Sequence, residues 1–187
     1  MVRALVATVV AAGTFAAPAP AYHLEGGRWA THVIPYYTET PAYAWSVDTA
    51  AYAWNTSGAN VQFVKTSKQY AKVLVGIRWY THAGDAHVHR IDGTFVGAQV
   101  GIQTGHDRYE MALIVAHELG HVLGLDHETS MCATMNPSVG NDHTTFCPAP
   151  PSGMWTCRLV QYDDVRGAVA LYGGTVKSWR GSPFCNR

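Results

Sequence analysis

The sequence predicts an α+β domain in which helices pack on a mixed β-sheet. Strand-like segments, rich in β-branched and aromatic residues, occupy most of the first half of the chain. One helical segment separates the first two of them, and two further helical segments follow the last. A strand–helix–strand order is typical of parallel strands, and strands that precede helices are typical of α+β domains. We find neither an internal repeat nor a linker, and we expect one domain.

Four segments have the composition of strands: 28–38, 61–65, 73–79 and 94–102. Pro35 lacks an N–H group, which predicts a sheet edge or a strand end at this position. Two glycines weaken the last segment as a strand. Residues 81–92 are polar and rich in histidine, and we predict a loop there.

The spacing of apolar residues predicts three helices. The first, at 45–58, has four apolar residues on one stripe and a glycine as its stop. The second begins after Asp107, where an Asp-x-x-Glu sequence is typical of a helix cap. The third, at 161–172, has two aspartates in its first turn and a glycine just beyond its end. Residues 138–155 are rich in proline and are predicted to form a loop.

The second helix carries the pattern HExxHxxGxxH. His117 and His121 are four residues apart, so both imidazoles lie on one helix face and reach one ion. Glu118 is rotated by about 100° around the helix axis and can hold a water molecule beside the metal. Gly124 permits the left-handed backbone that ends a helix, after which the chain turns back and brings in His127.

Three protein ligands leave one coordination position open, which is the arrangement of catalytic rather than structural zinc sites. Zinc in such a site activates water near neutral pH, and Glu118 is the candidate general base. The alternative is a surface helix with satisfied histidines, but the glycine and the third histidine at fixed offsets argue against it. The pattern predicts a catalytic Zn²⁺ site with His117, His121 and His127 as its ligands.

The N-terminus is typical of a secretory signal peptide. Arg3 precedes a short apolar run at 4–17, and an A-x-A cleavage site follows at 19–21. We therefore predict a signal peptide at 1–21, a catalytic domain at 22–187, and a secreted, extracellular protein. No later segment is long and apolar enough to span a membrane.

The charge pattern gives no sign of a nucleic-acid or membrane partner. The chain has 13 basic and 13 acidic residues, without blocks of either sign. A basic stripe that would bind nucleic acid or anionic lipid is therefore absent from the sequence. We expect neither of these partners, and we expect a monomer.

Four cysteines follow the zinc pattern, and an even number in an exported chain favours two disulfides. A second zinc site is the alternative, although no C-x-x-C spacing supports it. Of the three pairings that four cysteines allow, we expect Cys132–Cys147 and Cys157–Cys185. These bonds would staple the C-terminal part of the domain.

The zinc pattern and its surroundings resemble the metzincin metallopeptidases, and among them the matrixins. Eight residues after His127 stands Met135, in a sequence similar to the Met-turn, which in that family forms an apolar floor under the zinc ligands. Residues 163–173 resemble the matrixin C-terminal helix, and 61–64 and 72–77 lie where that family has its second and third strands. The resemblance implies a metzincin-type catalytic domain with a twisted mixed sheet, an active-site helix, a Met-turn and a C-terminal helix.

The resemblance also implies a secreted zinc-dependent endopeptidase that acts on a protein or peptide. The substrate would pair with an edge strand, expected at 94–102, and the loop at 138–155 would form a specificity wall. Three large apolar residues of this loop would either line a pocket or cover the core, and these are Phe146, Met154 and Trp155. Two other functions stay open: a zinc-binding effector with vestigial activity, against which the intact Glu118 argues, and a zinc amidohydrolase with a non-peptide substrate.

The sequence departs from the matrixin pattern in three ways. Glu128, after the third histidine, is more typical of astacins, but Pro137 stands where astacins have a tyrosine ligand. The segment before the active-site helix is shorter than in vertebrate matrixins, which puts their structural zinc and calcium sites in doubt. Its polar residues, which either bind a second Zn²⁺ or Ca²⁺ or form a solvated loop, are His82, Asp85, His87, His89 and Asp92. No cysteine precedes His117, so we expect an enzyme that is active once exported or restrained by a separate protein inhibitor.

Overall fold

The structure, a computed structural model, describes residues 21–78, 82–137 and 159–177. Nearly all of the predicted signal peptide and the whole loop at 138–155 lie outside these residues. The elements in chain order are β1 (His23–Leu24), β2 (Arg28–Trp29), β3 (Val33–Thr38), α1 (Ala44–Thr56), β4 (Gln62–Lys65), β5 (Val73–Ile77), β6 (Gly84–Ile91), β7 (Thr94–Ile102), α2 (Arg108–Leu123), β8 (Leu125–Asp126) and α3 (Tyr162–Tyr172).

Six strands form one sheet, in which β2, β7, β5, β3 and β4 follow one another and β6 pairs with β7. Every pair is parallel except β6–β7, which is antiparallel. The helix α1 connects the adjacent parallel strands β3 and β4. A second, small sheet pairs β1 with β8. The structure confirms the predicted α+β domain with a mixed sheet, although the strand predicted at 28–38 divides into β2 and β3.

One hydrophobic core joins α1, α2 and the sheet. Two buried tryptophans tie α2 to its surroundings, because the indole N–H of Trp54 donates to the carbonyl of Ala116 at 2.9 Å and that of Trp29 donates to the carbonyl of Val122 at 2.7 Å. These bonds hold the middle and the end of α2 in place. In the described part of the chain, no helix combines the length and the apolar character needed to cross a membrane.

The prediction of a loop at 81–92 is wrong, because most of this segment forms the strand β6. Asp92 and Gly93 have φ values of 48° and 76°, and they form the two-residue turn that an Asp-Gly pair favours between antiparallel strands. Ala86 and Val88 pack against the core, while Asp85, His87 and His89, which alternate with them, are polar. The alternating pattern of a half-buried strand was therefore present among the histidines.

Two further predictions about edges are wrong. Pro35 lies inside β3, which has β4 on one side and β5 on the other. The pairing with β5 begins only at Tyr36, so the missing N–H of Pro35 falls just before the point where β5 joins. The segment 94–102 is not an edge either, because β7 pairs with β6 on one side and with β2 and β5 on the other.

Candidate metal centre

The helix α2 is held at both ends by residues that the sequence singled out. Asp107 is the N-cap, and its carboxylate accepts hydrogen bonds from the backbone N–H groups of Tyr109 and Glu110, both at 2.8 Å. Glu110 does not close a reciprocal box, because its own carboxylate lies 3.0 Å from His106 Nδ1. Gly124, with φ 99°, ends the helix in the left-handed conformation. The chain then turns back through β8 towards the helix.

This turn brings three histidines together. His121 Nε2 lies 3.1 Å from His117 Nε2 and 3.3 Å from His127 Nε2. In the described part of the chain, these residues form the one group of three or more metal-ligating side chains whose atoms all lie within 4.8 Å of one another. Zinc–nitrogen bonds of about 2.0–2.1 Å at tetrahedral angles separate two ligand nitrogens by about 3.3–3.4 Å. The spacing of the histidines therefore fits a single zinc ion.

The other ring nitrogens of two of these histidines face acceptors. His117 Nδ1 lies 2.7 Å from the carbonyl oxygen of Thr134, and His121 Nδ1 lies 2.9 Å from that of Leu125. A carbonyl oxygen only accepts, so Nδ1 carries the proton in each neutral ring and Nε2 presents a lone pair. The lone pairs of His117 Nε2 and His121 Nε2, which lie 3.1 Å apart, repel one another unless a cation lies between them. The donor set is thus the one a zinc ion requires.

The electrostatics of the cluster favour neutral imidazoles at two positions. Burial lowers the pKa of His117 to about 3, and the neighbouring His121 adds to this effect. Burial and the same neighbour also lower the pKa of His127. Burial also lowers the pKa of His121, but the carboxylates of Glu25 and Glu118 outweigh this effect and raise its pKa above the ordinary value. Neutral imidazole is the form that binds a metal.

Glu118 lies beside the histidines, on the side of α2 that faces β6. Its side chain is 5% exposed, and burial raises the pKa of its carboxyl to about 7. Gly84, at the start of β6, leaves the space that this carboxylate needs, since a Cβ built on Gly84 would lie 2.5 Å from Glu118 Oε1. In the metal-free cleft a carboxyl group with this pKa exchanges a proton near neutral pH, which is the behaviour of a general base.

The segment that resembles the Met-turn lies under the cluster. Met135 is 2% exposed, and its sulfur fills the space above Gly120 in α2, where a Cβ would come within 2.2 Å of it. The loop is closed at its base, because the N–H of Glu128 donates to the carbonyl of Met135 at 2.9 Å. The carbonyl of Thr134, one residue earlier, is the acceptor that orients His117. The loop therefore supports the cluster by packing and by one hydrogen bond.

Asp164, in the first turn of α3, holds this loop in place. Its carboxylate accepts the backbone N–H groups of Thr134 at 2.7 Å, Met135 at 3.1 Å and Gln161 at 2.9 Å. Burial raises the pKa of this carboxyl to about 6, although the hydrogen bonds act in the opposite direction. The sequence indicated only an acidic residue in the first turn of a helix at this position. Its second role depends on a contact between residues about 30 positions apart, which no local pattern reveals.

Replacement of Asp164 by alanine is expected to destabilise the fold by about 3 kcal/mol or more, because it leaves three backbone N–H groups in the protein interior without an acceptor. Urea denaturation of the metal-free protein measures the loss. Asp163→Ala is the matched control, since this neighbouring buried aspartate accepts a hydrogen bond from the backbone of Ala21, whereas the N–H groups of Thr134 and Met135 donate to Asp164. Equal losses in the two variants would show that Asp164 has no special part in holding the loop.

The second metal site considered from the sequence does not form a cluster among the described residues. Asp85 and His87 lie on the same face of β6, with His87 Nε2 at 2.8 Å from Asp85 Oδ2. His82 and His89 do not join them in a group of three ligands. These residues lie on or beside β6, and both His82 and Asp85 also line a cleft over the three histidines.

A cleft of about 710 Å³ opens over the histidines, between α2 and the start of β6. Its lining includes three carboxylates besides Glu118, and these are Glu25, Asp85 and Glu110. The proposed specificity wall at 138–155, with Phe146, Met154 and Trp155, lies outside the described residues. Cys132 is disulfide-bonded, but Cys147, Cys157 and Cys185 also lie outside them, so the expected pairings stay predictions.

Comparison with known proteins gives one family match and two curated relatives. The family model described as Matrixin matches residues 33–173, which is well over half of the chain. Macrophage metalloelastase of Oryctolagus cuniculus is 41% identical over 63 residues, and matrix metalloproteinase-9 of Canis lupus familiaris is 40% identical over 65 residues. These segments make up 33% and 35% of this chain. The chain spans only 11% and 7% of the length of these relatives.

Proposed function

This chain belongs to the matrixin family, and from that premise we propose that it is a secreted zinc-dependent endopeptidase. The observation that carries the proposal is the convergence of three imidazole Nε2 atoms beside a buried carboxylate in an open cleft. His117, His121 and His127 would hold the ion, and the cleft would admit the substrate to its fourth position.

Glu118 is the residue that we assign to proton transfer. Bound at this site, zinc supplies Lewis-acid chemistry, which activates water near neutral pH and polarises a carbonyl. Glu118 takes a proton from the attacking water and later delivers it to the amine that leaves. Glu118 lies in the wall of the cleft beside the histidines, which places its carboxylate within reach of both the water and the leaving amine.

We propose that an extended peptide binds along the free edge of β6. In the described part of the chain this strand pairs with β7 alone, so its other edge carries no further strand there. The same strand begins at Gly84, next to Glu118, so a peptide paired with it would pass directly over the histidines. Backbone hydrogen bonds would supply affinity, and the cleft would select among side chains.

Export belongs to the same proposal. A signal peptide at 1–21, cleaved after Ala21, would release the domain at 22–187. Two disulfides in the C-terminal part would suit an oxidising environment. We expect the released domain to be a monomer, and any restraint on its activity to come from a separate protein inhibitor.

A chelator-reversible protease assay tests the proposed function. Casein hydrolysis by the chain that begins at Tyr22 should stop when dipicolinate removes the metal and should return when Zn²⁺ is added. Zinc binding without hydrolysis of casein would contradict the proposal. In that case, hydrolysis of small amides would favour an amidohydrolase, and its absence would favour a zinc-binding effector.

A further inference from the structure

Glu25 directly follows β1, yet it lies against His121 of the cluster, 96 positions later in the chain. Its Oε1 is 3.0 Å from His121 Nδ1, on the side of the ring opposite to Nε2. The same Nδ1–H group also faces the carbonyl of Leu125 at 2.9 Å. His121 is therefore the one ligand of the three with a carboxylate recorded against its distal nitrogen in the described structure.

The backbone sets this contact. The strand β1 pairs with β8, which follows α2 directly, and the N–H of Glu25 donates to the carbonyl of Gly124 at 2.9 Å. This bond satisfies a carbonyl at the end of α2 and fixes residue 25 beside the last turn of the helix. His121 lies in that turn, so the side chain of Glu25 reaches its ring directly.

Arg90, on β6, holds Glu25 from the other side. Its Nη1 donates to the backbone carbonyl of Glu25 at 3.2 Å, and its Nη2 lies 3.8 Å from Glu25 Oε2. One carboxylate oxygen thus faces the arginine while the other faces the histidine. Glu25 is only 21% exposed, which limits its freedom to turn into solvent.

We propose that Glu25 is a positioning residue that orients His121 and strengthens its bond to zinc. A carboxylate that accepts the distal N–H of a ligating imidazole fixes the tautomer and makes the lone pair of the other nitrogen more basic. The segment that follows β1 thereby becomes part of the metal centre, and this inference rests on the zinc site of the proposed function.

The size of the effect follows from the two acceptors. Loss of such an outer carboxylate typically weakens metal binding by about 10–100-fold. Because the carbonyl of Leu125 still accepts the Nδ1–H, the effect here belongs at the lower end of this range. Glu25→Gln keeps an acceptor oxygen but loses the charge, so its effect should be smaller than that of Glu25→Ala.

Chelator competition measures the zinc affinity of the metal-free proteins, after circular dichroism has shown that each variant is folded. We expect about tenfold weaker zinc binding for Glu25→Ala and a smaller loss for Glu25→Gln. The matched control is Glu110→Gln, which removes one negative charge from the same cleft at a residue whose contact is with His106. This control should bind zinc as tightly as the wild type.

Cobalt substitution supplies a second readout, because the visible absorption of bound Co²⁺ reports the geometry of its ligands. The spectrum should shift in Glu25→Ala, should shift back towards the wild type in Glu25→Gln, and should stay unchanged in Glu110→Gln. Unchanged affinity and spectrum in Glu25→Ala would overturn the inference, as would equal losses in Glu25→Gln and Glu110→Gln. A wild-type protein that binds no zinc would overturn the proposed function itself, which keeps the two failures distinct.

Discussion

Glu118→Ala is expected to lower kcat/KM for a peptide substrate by about 10³-fold while one zinc ion stays bound to each chain. General acid–base groups contribute about 10²–10⁴-fold to enzyme rates, and in the described cleft Glu118 is the carboxylate on α2 directly beside the histidines. The carboxylate is not among the three grouped ligands, so its removal should leave the zinc site intact. Peptide cleavage is followed by fluorescence, and zinc is counted in the same samples.

Two further variants separate the chemistry from the shape of the site. Glu118→Gln keeps the volume of the side chain but loses the base, and its activity should fall as far as that of the alanine variant. Gly84→Ala keeps the base but places a Cβ 2.5 Å from Glu118 Oε1 and 2.8 Å from a methyl group of Ile114. The carboxylate must then move, and we expect an intermediate loss of activity with zinc retained. Near-normal turnover in both Glu118 variants would remove this residue from the mechanism.

His121→Ala should lose the metal, and peptidase activity should fall below detection with it. The Nε2 of His121 is close to both other ligand nitrogens, at 3.1 and 3.3 Å, so its removal leaves two ligands with no third to close the site. Since zinc binds the folded chain, saturating zinc should also stabilise the wild type, by about 4 kcal/mol at a thousand times the Kd. The variant should show no such stabilisation.

Thermal unfolding with and without added Zn²⁺ measures this difference. His32→Ala is a matched control, because this histidine packs against the ring of Tyr172 and is not one of the three grouped ligands. Its unfolding temperature should rise with zinc as that of the wild type does. If zinc stabilised His121→Ala as strongly as the wild type, the ion would bind elsewhere and the assignment of the ligands would be wrong.

The parts of the site that sequence analysis predicted depend on short-range geometry. His117 and His121 share a helix face because of the helical repeat, and Gly124 ends the helix because it has no Cβ. Asp107 caps the same helix through its nearest backbone groups. Each of these features depends on residues only a few positions apart, so it can be predicted directly from the sequence.

The parts that it missed depend on contacts between distant segments. Glu25 reaches His121 across 96 positions, and Asp164 reaches Thr134 across 30, because sheet and helix packing bring them together. No spacing rule links such residues. The strand β6 is a different case, since its Asp92–Gly93 turn and its alternating Ala86 and Val88 were visible, but its histidines suggested a polar loop. Because 81–92 was predicted to be a loop, the sheet edge next to the cleft was predicted at 94–102 instead of at β6.

Metal analysis of the purified wild type, combined with X-ray absorption at the zinc edge, tests the central claim most directly. The account predicts one zinc ion per chain, with three nitrogen ligands at about 2.0–2.1 Å and one exchangeable oxygen. A protein that holds no zinc after exposure to the ion would contradict it. So would a closed site with four protein ligands, because no position would then be left for water or substrate.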